Sequence, residues 1–287
     1  MDDLEQLVAA EMTTPVDRRV SRLAAAIAAK HGAASRAVLF YGSCLREKQL
    51  DGLMLDFYLI VSDYRAAYDR RWLGVANRWI PPNVFHFEDH GLTAKYAVLS
   101  EADFHRLNGL ETRSVSVWAR FAQPSRLTWA ADEQAQCTAS LAIARAAPTL
   151  LAAAGRVEGE EPLEWWRRAF ALTYSAELRA ERAGRAGSVV DADLERYRRF
   201  SGPAIAAIPK AAAAGGGWAR RRLEGKTLSV LRLAKASATF AGGVDYIAWK
   251  INRHAGTKIE IKPWQRRWPL LAAISLVPRL LKSGAVR

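Results

Sequence analysis

Residues 38–61 read VLFYGSCLREKQLDGLMLDFYLIV, and this stretch decides the fold. Val38–Tyr41 and Leu53–Val61 are apolar runs of strand length, and Gly42 and Gly52 bound them. The sequence therefore predicts two buried strands, joined by a glycine–serine turn and a short charged loop.

One carboxylate lies inside the second predicted strand. Asp56 has apolar neighbours, and an ionised carboxylate in such surroundings is unfavourable unless it is paired or binds a metal. The turn at Gly42 and Ser43 can present backbone N–H groups and a hydroxyl to a phosphate. Together these features predict a site for a nucleoside triphosphate and its Mg²⁺, with Asp56 as the first metal ligand.

The glycine–serine turn followed by a strand with an Asp resembles the signature of the nucleotidyltransferase superfamily. The usual members carry two carboxylates as Asp-x-Asp, whereas Phe57 and Tyr58 follow Asp56 here. Without the second Asp, the sequence is most similar to the mitochondrial and bacterial phosphatidate cytidylyltransferase family. That family shows Tyr-Gly-Ser and then Met-Ile-Asp-Phe, and residues 41–43 and 54–57 of this chain read YGS and MLDF.

The similarity continues beyond these two motifs. Residues 95–100, KYAVLS, resemble that family's Lys-Tyr-Gly-Val-Ile-Ser, and a tryptophan with a basic, proline-containing segment follows at residues 118–126. A weaker similarity lies at residues 240–250. The resemblance covers about residues 36–130 and, less closely, 226–251.

The resemblance implies a Mg²⁺-dependent enzyme that transfers the cytidylyl group of CTP to phosphatidate, giving CDP-diacylglycerol and pyrophosphate. The acceptor is a phosphate anion near neutral pH, so such a reaction needs positioning and charge neutralisation rather than a strong base. Asp56, Ser43 and Lys95 are the expected catalytic residues. The remaining expected residues bind phosphate or metal: Gly42, Ser43, Arg46 and Lys95 for the nucleotide, Arg120, Lys226, Arg232 and Lys235 for the lipid phosphate, and Glu88, or less strongly Asp51, as a second metal ligand.

Positive charge is concentrated near the C-terminal end. Residues 1–215 contain 27 Lys/Arg and 26 Asp/Glu, whereas residues 216–287 contain 15 and 3, which gives +12 of the net +13. Such a segment attracts nucleic acid or an anionic membrane. Trp264 and Trp268 lie in a basic and apolar stripe typical of a helix in the membrane interface, so an anionic membrane is the expected partner and nucleic acid is not. The alternative is that this tail packs on the protein body.

The whole pattern predicts an α/β protein of the α+β kind. Residues 1–130 are expected to form a nucleotidyltransferase-like domain with a mixed sheet, residues 131–261 a mostly helical basic domain, and residues 262–287 an amphipathic interfacial tail. Further strands are predicted at Asn83–Glu88 and Ala94–Leu99, and strand signals disappear after about residue 128.

Sequence features also predict a location in the cell. The acidic start MDDLEQL lacks the basic and apolar regions of a signal peptide, and no apolar run approaches the ~20 residues that span a bilayer. Two cysteines fit a reducing compartment. We therefore expect a cytoplasmic protein, peripheral on the inner face of a membrane.

Two other functions are compatible with the same residues. One is an enzyme of the same fold with another acceptor: an RNA end, a protein side chain or a small molecule. The other is a degenerate, non-catalytic nucleotidyltransferase that binds a membrane or nucleic acid, which the missing second Asp permits.

Overall fold

The computed structural model describes residues 2–47, 50–177, 189–212, 215–239 and 262–263. Within these residues one sheet contains the strands β1 (Ser35–Tyr41), β2 (Met54–Val61), β3 (Asn83–Asp89), β4 (Leu92–Ser100) and β5 (Ser125–Ala130). Their order across the sheet is β3-β4-β2-β1-β5, so β3 and β5 form its edges. The pair β2/β4 is parallel and the other pairs are antiparallel, which makes the sheet mixed.

The register of the sheet aligns one row of polar side chains. Tyr41 on β1 is opposite Asp56 on β2, Asp56 is opposite Lys95 on β4, and Lys95 is opposite His86 on β3. Residues directly opposite each other in neighbouring strands point to the same face of a sheet. These four side chains therefore lie side by side on one face.

Helices surround the sheet. Those up to β5 are α1 (Asp3–Met12), α2 (Arg18–Lys30), α3 (Ser43–Glu47), α4 (Tyr64–Ala67), α5 (Arg71–Trp79), α6 (Glu101–Leu107) and α7 (Trp118–Phe121). Those after β5 are α8 (Glu133–Ala144), α9 (Ala146–Ala154), α10 (Pro162–Ala176), α11 (Leu194–Ala206) and α12 (Trp218–Thr239).

Local sequence explains where helix α2 begins and which side it buries. The Asp17 side chain accepts the backbone N–H of Arg19 and caps the helix. Val20, Leu23 and Ile27 then follow at steps of three and four residues and are all buried. This stripe packs α2 on one face of the sheet.

Alternating side chains divide the apolar residues between two cores. In β2, Phe57 and Leu59 belong to the core beneath α2, whereas Tyr58 and Ile60 belong to the core on the opposite face. Residues of α1 and of α6 to α11 cover this opposite face, which we call the helix-rich face. The row of polar side chains that includes Asp56 lies at the margin of the helix-rich face, because Asp56 is two residues before Tyr58.

The α+β class predicted from the sequence is confirmed, and so are the four predicted strands, which correspond to β1 to β4. In the part of the chain that the structure describes, the strands lie before residue 131 and long helices follow it, as expected. The hydrophobic core continues across that position, because Trp166 and Phe200 share a cluster with Leu39 of the sheet. The predicted interfacial tail lies outside the described residues, apart from Lys262 and Pro263.

One stretch of the described chain, Glu133–Ala154, is long and apolar enough to cross a membrane. It consists of α8 and α9, and an apolar window of 18 residues within it has a mean hydropathy of 1.4 and is 72% buried inside the fold. Leu150 and Leu151 are completely covered. A core helix that is mostly buried meets the same criteria of length and composition.

Candidate functional site

The turn after β1 closes directly over the carboxylate of Asp56. Gly42 has a φ of 95°, a backbone conformation that residues with side chains rarely adopt. A Cβ atom at this position would lie 2.8 Å from Asp56 Oδ2. Only a glycine therefore lets the chain turn this close to the carboxylate, and the turn predicted to bind phosphate lies against the predicted metal ligand.

Lys95 is the charged neighbour of Asp56. Its Nζ lies 2.9 Å from Asp56 Oδ1, which is an ion-pair distance. Oδ1 is a buried atom with no hydrogen-bond partner among the described residues. The Lys95 and Asp56 side chains as a whole are 28% and 20% exposed, so a ligand can contact their exposed atoms.

Arg120 brings a second positive charge to the end of β1. It lies on α7, which the buried side chains of Trp118 and Phe121 fix in the core. Arg120 donates a hydrogen bond of 3.3 Å to the Tyr41 hydroxyl, and its guanidinium carbon lies 5.0 Å from the centre of that ring. Burial works against its charged form, but nearby tyrosines and carboxylates outweigh burial, so the pKa of Arg120 is raised above its ordinary value.

Arg232 reaches the same region from α12. Its Nε donates to the Pro81 carbonyl at 2.7 Å, its Nη1 donates to the Ser116 hydroxyl at 2.9 Å, and Nη1 lies 4.0 Å from Glu177. Burial lowers the pKa of Arg232, and the carboxylate of Glu177 opposes that shift. Arginine keeps its charge at neutral pH even when its pKa is lowered in this way.

These groups act on one another across the buried ring of Tyr58. Burial raises the pKa of its hydroxyl, Arg120 and Arg232 oppose that rise, and Glu177 and Asp56 add to it. We call the whole set the polar cluster: Tyr41, Asp56, Tyr58, Lys95, Arg120, Glu177 and Arg232. Its cations outnumber its carboxylates by three to two, so the polar cluster suits an anionic ligand.

The structure does not bring the expected second metal ligand to Asp56. Glu88 lies two strands away on β3, is 68% exposed, and places Oε1 3.3 Å from His86 Nε2. Asp51 is 78% exposed and forms an ion pair of 2.8 Å with Arg19. Among the described residues, no group of three or more His, Cys, Asp or Glu could hold a metal ion. Of the carboxylates predicted as ligands, Asp56 alone faces the turn.

The other predicted phosphate ligands have varied positions. Ser43 is exposed as the first residue of α3, next to the turn, and the side chain of Arg46 lies outside the described part of the structure. Lys226 is exposed on α12. Lys235 is 8% exposed, and its ammonium contacts the carbonyl oxygens of residues 80 and 82.

Three members of the polar cluster were not predicted as site residues, and Tyr41 is one of them although it belongs to the YGS motif. Tyr58 could have been found, because a residue two positions after Asp56 in a strand lies on the same face. Glu177 follows the last residue of α10, and no local motif marks it. Its place in the site depends on how α10 and α12 pack together.

Comparison of the chain with protein-family models and with curated proteins gives no match. The function must therefore be argued from the residues of the polar cluster and from the sequence motifs.

Gly42→Ala tests whether the turn must approach the carboxylate. The added methyl group would lie within about 3 Å of Asp56, and the alanine backbone would have to keep a strained φ. We therefore expect the free energy of unfolding to fall by about 2–4 kcal/mol. Gly52→Ala is the matched control, because Gly52 has a φ of 73° and nothing lies within 4 Å of its Cβ position. It should lose only about 1–2 kcal/mol. Urea denaturation measures both, and equal losses would show that contact with Asp56 has no effect.

The buried ammonium of Lys235 makes the stability depend on pH. Burial, reinforced by Arg232, lowers the pKa of Lys235 from 10.5 to about 7. Between these values the unfolded chain binds more protons than the folded chain, so Lys235 makes stability rise with pH, by at most about 1.4 kcal/mol per pH unit. Lys235→Met should flatten that rise between pH 7 and 10 in urea titrations. A slope equal to the wild type would contradict the lowered pKa.

Proposed function

We propose that this protein is a Mg²⁺-dependent nucleotidyltransferase that transfers the cytidylyl group of CTP to phosphatidate. The observation that carries the proposal is the position of Asp56, which lies against Gly42 with a buried oxygen that accepts no hydrogen bond from the described residues. A carboxylate held in this way beside a tight turn suits a cation that neutralises bound phosphates. The motif resemblance suggests the nucleotide and the acceptor.

The residues present fit Mg²⁺ in their chemistry. This ion is commonly bound by one or two carboxylates together with substrate phosphates and water, so a single Asp is sufficient on the protein side. Asp56 would hold it, and the exposed hydroxyl of Ser43 at the turn is the next available oxygen. When bound, the ion supplies charge neutralisation on the nucleotide phosphates.

The cations of the polar cluster come from different elements. Lys95 on β4 lies beside Asp56 and the turn, where it neutralises the triphosphate. Arg120 on α7 contacts Tyr41, Arg232 on α12 contacts Ser116, and both lower the pKa of the Tyr58 hydroxyl. We assign them to the phosphate of the acceptor. In-line transfer needs the attacking oxygen and the leaving pyrophosphate on opposite sides of the α-phosphorus, and two separate groups of cations provide one binding position for each.

A second candidate is a nucleotide-binding module without transferase activity. The Lys95–Asp56 ion pair favours it, because a lysine at 2.9 Å already neutralises the carboxylate without a metal. Such a module would bind a nucleotide through Lys95 and the turn and release no pyrophosphate.

Incubation with α-labelled CTP, Mg²⁺ and phosphatidate tests the proposal. We expect label in the organic phase and an equal amount of pyrophosphate, both abolished by a chelator of divalent ions. Nucleotide-dependent pyrophosphate release without labelled lipid would indicate another acceptor. A rise in melting temperature with CTP, without any pyrophosphate release, would indicate the binding module.

A further inference from the structure

Helix α5 exposes a large apolar surface on one of its sides. Trp72, Val75 and Trp79 are 46%, 58% and 78% exposed. Steps of three and four residues place them on the same side of the helix. The other side is fixed to the fold, because buried Asn77 donates to the Val98 carbonyl at 2.9 Å. The tryptophans are thus presented to the outside by a firmly attached helix.

Exposed arginines lie on α5 and on the short segment before it. Arg65, Arg70, Arg71 and Arg78 are all exposed, and within the described chain none of their side chains forms an ion pair. Asp69 is the single acidic residue between positions 65 and 79. The surface therefore combines indole rings with uncompensated positive charge.

We propose that Trp72, Val75 and Trp79, together with these arginines, form a contact site for an anionic lipid bilayer, and we call them the α5 surface. Tryptophan prefers the boundary between lipid headgroups and acyl chains, where its ring is buried and its N–H remains hydrated. Basic side chains beside it keep their charged ends among the anionic headgroups. Each arginine should strengthen binding about five-fold at low ionic strength.

Charge argues against two other partners that could cover the α5 surface, namely the C-terminal segment of this chain and a second copy of the protein. Residues 262–287 of this chain contain six Lys/Arg and no Asp/Glu, so the arginines would repel that segment. A second copy bound symmetrically through the same surface would place the arginines of both copies against each other. An anionic bilayer removes this repulsion and also accepts the tryptophans.

The α5 surface is close to the polar cluster along the chain. Residues 80–82 follow α5 directly, and their carbonyl oxygens accept hydrogen bonds from Arg232 and Lys235. A bilayer bound at α5 would therefore lie one short loop from Arg232. If the acceptor is phosphatidate, which rests on the proposed function, its headgroup would enter the polar cluster from this side.

A fluorescent label at position 75 tests the α5 surface in the full chain. The double variant Val75→Cys, Cys137→Ser carries a nitrobenzoxadiazole group at position 75. The control is the wild type with the same group on the exposed Cys137. Cys44 is buried, so we expect it to remain unlabelled in both proteins. Cys137 lies on α8, which packs near the edge strand β5, whereas α5 packs near the opposite edge strand β3. With vesicles of phosphatidylglycerol and phosphatidylcholine, emission from position 75 should rise about two-fold or more. Emission from Cys137 should not change, and vesicles of phosphatidylcholine alone should give little response.

Three results would overturn the proposal. They are the absence of vesicle binding, binding that leaves the label at position 75 in water, and a label that is already in an apolar environment without vesicles. The last result would mean that the tail or a second copy covers α5. In flotation, Trp72→Ser with Trp79→Ser should weaken binding about ten-fold, whereas Leu141→Ser with Val157→Ser, which changes exposed apolar residues elsewhere, should not. These assays measure membrane binding and do not require catalysis. Their result therefore does not depend on whether the protein transfers cytidylyl groups.

Discussion

Asp56→Asn should lower the transfer of cytidylyl groups from CTP to phosphatidate about a thousand-fold or more. The amide has the size of the carboxylate, so it still fits beside Gly42. It lacks the negative charge that would hold a divalent cation and that pairs with Lys95. Incorporation of label from α-labelled CTP into extracted lipid measures the loss.

Asp51→Asn is the matched control for this variant. Asp51 lies in the turn just before β2, but it is 78% exposed and pairs with Arg19 outside the polar cluster. It should keep wild-type activity. Melting temperatures of both variants should stay near the wild type, because the side chains of Asp56 and Lys95 are partly hydrated. Full activity of Asp56→Asn would show that this carboxylate has no part in catalysis.

The central strands could be predicted from the sequence because their signal is local. β1 and β2 are mostly apolar runs of strand length with a glycine after β1 and another before β2, and apart from Asp56 their central residues are buried on both faces of the sheet. β4 has the same character. An apolar run of this length with glycines at its ends has few alternatives to a buried strand.

Strand β5 and helix α1 were not predicted, for different reasons. β5 reads SRLTWA and is mostly half-buried, so its short pattern is ambiguous, and it is a strand because it pairs with β1. α1 has a local signal that could have been used. The Asp2 side chain accepts the Glu5 N–H at 2.8 Å, and the Glu5 carboxylate accepts the Asp2 N–H at 3.0 Å, which is a capping box.

The site was predictable only where its parts are close in sequence. Gly42 and Asp56 lie in one hairpin, and Lys95 was identified through a motif. Glu88 was expected near Asp56, but the register sets His86 beside Lys95 and leaves β4 between Glu88 and Asp56. The contact of Arg232 with Glu177 depends on helix packing over a long sequence separation, and no local pattern contains that information.

Glu11→Ala should lower the free energy of unfolding by about 3–5 kcal/mol, the largest effect on stability that we expect. The side chains of Glu11 and Arg196 are 9% and 5% exposed and form an ion pair between α1 and α11. Burial works against the charge of Arg196, but Glu11, Tyr197 and Asp193 together outweigh it, so the pKa of Arg196 is raised. Without Glu11 a guanidinium would remain buried and unbalanced. Urea denaturation measures the loss as a lower midpoint concentration with an unchanged m-value.

Glu224→Ala is the control, because Glu224 pairs with Arg113 and Arg220 at the surface and should contribute less than about 1 kcal/mol. Equal losses in the two variants would mean that the Glu11 pair is hydrated.

The buried pair also affects the site, since Arg196 Nη1 donates to the Ala122 carbonyl at 3.0 Å, at the end of the helix that carries Arg120. Glu11→Ala should therefore raise the KM for phosphatidate more than the KM for CTP. Glu11→Leu with Arg196→Met removes both charges and should recover most of the stability, because no buried charge is left unpaired.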